Sequence, residues 1–173
     1  YKITVTYGPE AEIPNGAELE AEEISDESEE YKKYVAGTKD ILSEDEKVSF
    51  ARFFDINIVK DDHEIQPAEP VNVRIELADE LTEEVKAVHF EHQKKDAEEE
   101  SENSEKAVLL DSKLVAAEEL RNAVSFDADR FSVYGIIGTE TITTHYISAS
   151  GDIYEITVSY DADANIPKGS ELI

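Results

Sequence analysis

The chain contains no cysteine, methionine or tryptophan. The absence of cysteine excludes disulfide bonds and thiolate chemistry. Small exported domains often depend on an even set of cysteines, so this chain, if exported, must be stabilised by other means. No apolar run approaches the roughly 18 residues that a membrane-spanning helix requires. We therefore expect no membrane insertion by this segment.

Positive charge is also scarce. The chain has 42 Asp and Glu residues against 16 Lys and Arg, which gives a formal net charge of -26. So negative a surface repels phosphate backbones and anionic lipid, which argues against nucleic-acid and membrane-surface roles. Two explanations of the acidity stay open, namely salt adaptation and the solubility of a repetitive chain. Solubility is favoured because lysine outnumbers arginine and glutamate outnumbers aspartate, the reverse of what we expect of halophiles.

The strongest signal in the sequence is an internal repeat. Residues 1–7 (YKITVTY) match residues 154–160 (YEITVSY), and residues 13–19 (IPNGAEL) match residues 166–172 (IPKGSEL) at the same offset. Solenoid units usually have about 20–50 residues, so this longer spacing indicates an array of domains. We predict one full unit followed by the start of the next, within a longer protein built of tandem copies.

Period-2 alternation of apolar and polar residues predicts many short strands. The Ile-Pro-x-Gly segment that follows the first strand predicts a turn, because proline fixes φ and glycine permits positive φ. Residues 148–152 predict a hairpin loop. The predicted strands cover residues 1–7, 54–58, 71–77, 85–90, 124–126, 131–133, 143–147 and 153–160.

A helix is predicted at one place. Asp26 is a candidate N-cap with Glu29 three residues later, and a stripe of Tyr31, Tyr34 and Val35 precedes Gly37. The helix either covers one end of a sheet or presents an exposed recognition surface. For the second case the candidate binding residues are Tyr31, Lys32, Lys33 and Tyr34, because tyrosine combines apolar area with a polar tip.

These patterns predict a mainly β, α+β fold with antiparallel, sandwich-like sheets and a short helical insertion near residues 26–50. We divide the chain into a first β subdomain at 1–92, an acidic loop with a second β subdomain at 93–147, and the start of the next repeat at 148–173. Residues 94–106 are predicted to be a solvated loop. Residues 114–121 fit helix and strand equally well.

The sequence carries no motif that identifies a catalytic or metal site. It has no Gly-x-Ser-x-Gly elbow, phosphate loop or cysteine nucleophile, so we expect neither an enzyme nor a cofactor. The histidines are expected to be exposed or at sheet edges, and His89 and His92 to lie on opposite faces of one strand. Residues 127–129 and 161–163 (both DAD) are interpreted as acidic turns, with calcium binding as the alternative.

A lysine crosslink is a further possibility in a domain without cysteine. An isopeptide bond to asparagine or aspartate requires a buried, desolvated lysine beside a carboxylate. Lys2 and Lys86 lie on predicted strands, and both also fit a solvent-facing position.

Three phrases carry a family resemblance, namely residues 51–56 (ARFFDI), residues 131–136 (FSVYGI) and the repeated Tyr-x-Ile-Thr-Val-x-Tyr…Ile-Pro-x-Gly pattern. They resemble repeat modules of large surface proteins from Gram-positive gut commensals, over most of the chain except residues 94–121. The resemblance implies a signal-peptide-led, wall-anchored, extracellular array of acidic domains. Some such proteins are similar to B-cell superantigens, which implies immunoglobulin variable domains as a host partner.

The Ile-Pro-x-Gly turn also resembles the ZU5 half of ZU5–UPA proteins, some of which cleave themselves at His-Phe-Ser. Here Glu91 follows His89 and Phe90, so the nucleophile of that motif is replaced and self-cleavage is not expected.

Two functions remain open from the sequence. The first is a monomeric module within a multi-repeat chain that binds a host protein such as immunoglobulin Fab, through a strand edge or the predicted helix. The second is a structural spacer with no ligand of its own.

Overall fold

Alternating apolar residues produce a strand-rich fold, which a computed structural model describes for residues 1–43, 46, 48–78, 84–92, 105–139, 141–159 and 170. One α-helix, α1 (Glu29–Lys39), and a short 3₁₀ turn (Pro9–Ala11) accompany the strands in these ranges. The strands are β1 (Lys2–Thr6), β2 (Glu18–Glu23), β3 (Val48–Lys60), β4 (His63–Ile65), β5 (Val71–Leu77), β6 (Glu84–His92), β7 (Glu105–Leu110), β8 (Ser112–Val115), β9 (Asn122–Ala128), β10 (Val133–Thr139), β11 (Thr141–Ile147) and β12 (Ile153–Ser159).

The strands form three antiparallel sheets. The first has the order β1-β5-β9-β8, and the second has the order β2-β3-β10-β6-β7 with β4 also paired to β3. The third is the two-stranded pair β11-β12. The prediction of a mainly β, antiparallel, sandwich-like α+β fold with one short helix is confirmed.

The main core lies between the first two sheets. On β5 the alternate residues Val71, Val73, Ile75 and Leu77 are all buried, as the period-2 pattern predicts. The six-stranded sheet contributes Phe54, Ile56, Ile58, Tyr134 and Ile136 to the same cluster. Burial of a large apolar side chain contributes roughly 1.5–3 kcal/mol, so these rows hold the two sheets together.

A second core lies on the other face of the six-stranded sheet, beneath α1. Tyr34 of the helix packs with Phe53, Val88 and Phe90 of the sheet. Gly135 of β10 permits this packing, because a Cβ atom there would lie 2.6 Å from the Phe53 ring. The helix therefore covers a face of the sheet, whereas the first of the two interpretations placed it over one end.

The ends of α1 differ from the prediction. The N-cap is Ser28, whose hydroxyl accepts a hydrogen bond from the Tyr31 backbone N–H at 3.0 Å, and the expected cap Asp26 lies outside the helix. Serine and aspartate are equally good caps, so the sequence alone does not choose between them. Gly37 lies inside the helix, where an added Cβ would approach the Phe90 ring to 3.3 Å.

The predicted turn after β1 is confirmed. Gly16 has φ of 79°, and the Ala17 N–H donates to the Pro14 carbonyl at 3.1 Å before β2 begins. The matching segment at 166–169 lies outside the described residues.

Strands from both proposed intervals, 1–92 and 93–147, occur in each of the two larger sheets and share the core between them. Residues 94–104 of the predicted loop lie outside the described residues. The predicted C-terminal boundary of this loop, residue 106, is wrong because β7 begins at Glu105. Residues 112–115 are strand β8, which resolves the ambiguity at the start of 114–121 in favour of strand.

Candidate functional site

The four predicted binding residues of α1 lie on two different faces of the helix. Tyr34 is only 2% exposed, and its ring lies 4.5 Å from that of Phe90. Tyr31 is half-buried, and its hydroxyl donates to the Ala51 carbonyl at 3.1 Å. Burial raises the pKa of Tyr31 above its ordinary value. Both tyrosines therefore serve the packing of the helix.

Lys32 and Lys33 lie on the exposed face of α1. The Lys32 ammonium is 2.6 Å from the Glu29 carboxylate, one helical turn away. A partner that docked on this helix would meet these lysines before it met the tyrosine rings. The binding role of all four residues stays a prediction.

A polar cleft of about 350 Å³ opens beside β6 and the start of β10, lined by Gln66, His89, Glu91, Asp129, Arg130, Phe131 and Ser132. His89 is buried at 5% exposure and stacks on the Tyr134 ring at 4.4 Å. The expectation of exposed or edge histidines is thus wrong for His89. Its strand lies inside the sheet, where the imidazole stacks on the Tyr134 ring and forms a hydrogen bond with the Ser132 hydroxyl.

The two hydrogen bonds of the Ser132 hydroxyl bear on whether this serine is arranged as a nucleophile. Its hydroxyl donates to the Phe90 carbonyl at 3.0 Å and lies 2.8 Å from His89 Nε2. When the one hydroxyl proton goes to the carbonyl, Nε2 can bond to Ser132 Oγ only as the donor. A catalytic serine needs the opposite arrangement, with the imidazole accepting its proton. These bonds join β6 to the segment before β10.

Glu91 does not complete a catalytic set in this geometry. Its carboxylate lies 3.9 Å from His89 Nδ1, beyond hydrogen-bond distance. The sequence gave one indication of this cluster, namely that His89 lies on the same face of its strand as the apolar residue Ala87, which is buried in the structure. Nothing in the sequence connected it with Ser132.

A buried carboxylate on the outer face of the first sheet was also missed. Glu76 is 1% exposed and accepts hydrogen bonds from the backbone N–H groups of residues 118, 119 and 120 at 3.0–3.3 Å. Arg74 Nε lies 3.2 Å from the same carboxylate. These donors, the Glu119 N–H foremost, lower the pKa of Glu76 to about 2. Glu76 thereby fastens the segment after β8 to β5.

The two lysines considered for a crosslink form ion pairs with glutamates. Lys2 Nζ lies 2.7 Å from a Glu119 carboxylate oxygen, and Lys86 contacts Glu46. Asp127 of the first DAD segment accepts a hydrogen bond from Asn72 at 3.0 Å, and residues 161–163 lie outside the described residues. Within the described ranges, no group of three or more histidine, aspartate or glutamate side chains could hold a metal ion.

Two sheet edges meet where β7 leads into β8, and we call them the β7–β8 edge. β7 ends the six-stranded sheet and β8 ends the four-stranded sheet. Leu109 and Leu114 are 40% and 51% exposed there, with exposed Lys106 and Lys113 on the same strands. Edge strands that expose apolar side chains are suited to pairing with a partner strand.

The second copy of the repeat forms one strand of a hairpin, which we call the repeat hairpin (residues 141–159). β12 pairs with β11 over seven residues, from Thr141 opposite Ser159 to Ile147 opposite Ile153. Ile156 and Val158 are 45% and 36% exposed, whereas their counterparts in β1, Ile3 and Val5, pack against the main core. The repeated sequence therefore forms a strand in both places but is covered in only one.

Comparisons with protein-family models, with curated proteins and with solved structures find no match. In the ranges that the structure describes, no helix has the length and hydrophobicity of a membrane span.

Proposed function

We propose that this chain is a non-catalytic repeat module of an exported bacterial cell-surface protein that binds a host protein, with immunoglobulin variable domains as the first candidate. The observation that carries the proposal is the repeat. Residues 154–160 copy residues 1–7, and the copy forms strand β12 as the original forms β1.

Tandem copies suit binding because linked modules raise the effective concentration of the second contact. Avidity from two modules exceeds a single affinity by roughly 10²-fold or more when the geometry permits both contacts. A net charge of -26 keeps such a chain soluble and directs it toward proteins rather than nucleic acid. The resemblance to surface repeats of gut commensals suggests immunoglobulin as the partner.

The β7–β8 edge is the contact surface that fits this proposal best. It combines two exposed leucines with two lysines on a strongly acidic chain, and it lies at the ends of two sheets. An incoming strand would gain main-chain hydrogen bonds from the edge and apolar contacts from Leu109 and Leu114. On α1 the exposed alternatives are Lys32 and Lys33.

Binding to immobilised Fab fragments of several heavy-chain families tests the proposal. We expect micromolar affinity for the single chain, and loss of binding in the Leu114→Asp variant. The Lys32→Glu/Lys33→Glu double variant is the matched control, because it alters the other exposed surface and should bind unchanged. If none of the Fab fragments binds at micromolar concentration, the immunoglobulin version is wrong.

A structural spacer is the second candidate, and one observation favours it. Only residue 140 separates β10, a buried central strand of one sheet, from β11 of the repeat hairpin. So short a connection suits a stiff array, which small-angle scattering of a multi-copy chain would detect as an elongated, rigid particle.

A further inference from the structure

We infer that β11 of one copy is the outer strand of the next copy's four-stranded sheet, so that neighbouring copies share one sheet. The order across the junction would be β11-β1-β5-β9-β8, with β11 from the preceding copy and the other strands from the following one. The inference rests on the tandem repeat in the proposed function, and it holds whichever ligand, if any, the array binds.

The first observation is that β1 and β12 are the same strand in two settings. Residues 2–6 read KITVT and residues 155–159 read EITVS. In the body of the molecule this strand pairs with β5, from Lys2 opposite Glu76 to Thr6 opposite Asn72. In the repeat hairpin it pairs with β11.

The second observation is that these two pairings are compatible, because a strand has two edges. β1 ends its sheet, and among the described strands only β5 pairs with it. Its other edge therefore presents unpaired backbone groups, which are a template for a further strand. The hairpin shows which strand pairs with this sequence, namely β11.

The third observation is the apolar face of β12. Ile3 and Val5 of β1 pack against the core between the sheets. At the same positions of β12, Ile156 and Val158 are exposed. Docking of β12 onto the β5 strand of a following copy would bury these two side chains as β1 buries theirs, while leaving β11 in place.

The hairpin also fixes the register of the shared sheet. Thr157 lies opposite Thr143, and its counterpart Thr4 lies opposite Arg74. At the junction, position 157 would thus lie between Thr143 of the preceding copy and Arg74 of the following copy. A contact of this kind is head-to-tail, so each further copy is added through the same pair of surfaces.

A two-copy chain tests the inference. It consists of residues 1–160 followed directly by residues 8–173, so that residues 154–160 serve as the first strand of the second copy and keep their own sequence. This strand (YEITVSY) differs from the outer strand of the first copy (YKITVTY), and the identical residues at the end of the second copy are followed by residues 161–173 instead of residues 8–19. Hydrogen exchange measured by mass spectrometry therefore follows it in peptides that extend into residues 8–19 of the second copy. We expect residues 154–160 to exchange about tenfold more slowly in the two-copy chain than in the single chain.

Engineered cysteines give an independent readout, because the chain has none of its own. Thr157→Cys is combined either with Thr143→Cys of the first copy or with Arg74→Cys of the second. Directly opposite antiparallel residues have Cα atoms about 4.5–5.5 Å apart, which a disulfide can span. We expect both disulfides to form, each in its own variant. Formation of the first without the second would overturn the inference.

Ser148 N–H donates to the Asp152 carbonyl, and the register from there places Thr144, opposite Ile156, among the residues of β11 that bond to β12. Thr144→Pro in the first copy removes that backbone donor and should speed exchange at residues 154–160. The same substitution in the second copy is the matched control, since no unit follows it and the junction should stay protected. Unchanged protection in the first variant would show that β11 is not the added strand.

These outcomes separate the inference from the ligand. Both disulfides without Fab binding would support the shared sheet and favour the spacer function. Fab binding without the disulfide that joins position 157 to position 74 of the second copy would overturn the shared sheet alone.

Discussion

Strands β1 and β12 have nearly the same sequence and different surroundings. Both are strands, which shows that the alternation of Tyr, Ile and Val with polar residues determines local structure. Ile3 and Val5 are partly covered by the main core, whereas Ile156 and Val158 remain exposed. The comparison shows that burial depends on the sheet a strand joins, which the strand's own sequence does not specify.

The two strands differ at one charged position. Lys2 of β1 lies opposite Glu76 and forms an ion pair with Glu119. The corresponding residue of β12 is Glu155. If β12 took the place of β1 in a following copy, a carboxylate would therefore lie near Glu76 and Glu119 where β1 places the Lys2 ammonium. Substitutions at and around β1 show how much each of these surroundings contributes.

The largest effect is expected at Glu76, because β5 supports β1 and Glu76 fastens β5 to the segment after β8. Glu76→Gln places an amide NH₂ group against backbone N–H donors and should lower the melting temperature more than any other substitution proposed below. The hairpin pairing of β12 does not involve β5 and should persist. Thermal unfolding followed by circular dichroism measures the loss.

The pH dependence of Glu76 has a defined sign. Its pKa is about 2 in the folded chain against an ordinary value of 4.5. The carboxylate therefore contributes stability that is fully present above about pH 4.5 and disappears as the pH falls toward 2. The melting temperatures of the wild type and Glu76→Gln should converge over this range. Glu20→Gln, at an exposed position of β2, is the control, and its melting temperature should stay close to that of the wild type throughout this pH range.

A matched pair of substitutions then compares the two strands directly. Ile3→Ala removes a side chain that packs on the main core and should lower the free energy of unfolding by about 1–2 kcal/mol, below the range for fully buried isoleucine. Ile156→Ala removes the same side chain from an exposed position and should change it by less than about 0.5 kcal/mol. Any loss of β propensity is common to both.

Urea unfolding measures both variants, with tyrosine fluorescence as the probe because the chain has no tryptophan. Equal losses would contradict the comparison, since they would mean that β12 is as well packed as β1. In the two-copy chain the difference should vanish, because Ile156 would then occupy the position of Ile3 in the second copy.

Much of the fold was predictable because its signals are local. Strand β5 matches its predicted bounds, since Val71 to Leu77 alternate without interruption. The hairpin loop between β11 and β12 was equally clear. Strand β7 was not predicted, because its acidic start at Glu105 continues a charged run whose composition resembles a loop. The cap of α1 was misassigned because two good capping residues lie close together.

The functional residues were less predictable, because their roles depend on tertiary contacts. Ser132 and His89 are brought together only by the pairing of β6 with β10. Glu76 reads as an ordinary solvent-facing strand position until the segment after β8 folds over it. Tyr34 is a candidate for binding from the sequence, and the structure buries it in the second core. A single sequence shows which side chains are available and does not show which ones meet.

The smallest predicted effect is at Lys2, where the two copies differ in charge. Lys2→Glu converts β1 to the sequence of β12 at this position and places a carboxylate near Glu119 and Glu76. We expect a small decrease in melting temperature at low ionic strength that shrinks in about 0.5 M salt, because exposed charges are screened. Lys2→Gln separates loss of the ion pair from repulsion and should lie between the wild type and Lys2→Glu. If the two variants melt alike at low salt, Glu119 and Glu76 exert no repulsion at this position, and the charge difference between β1 and β12 does not affect stability.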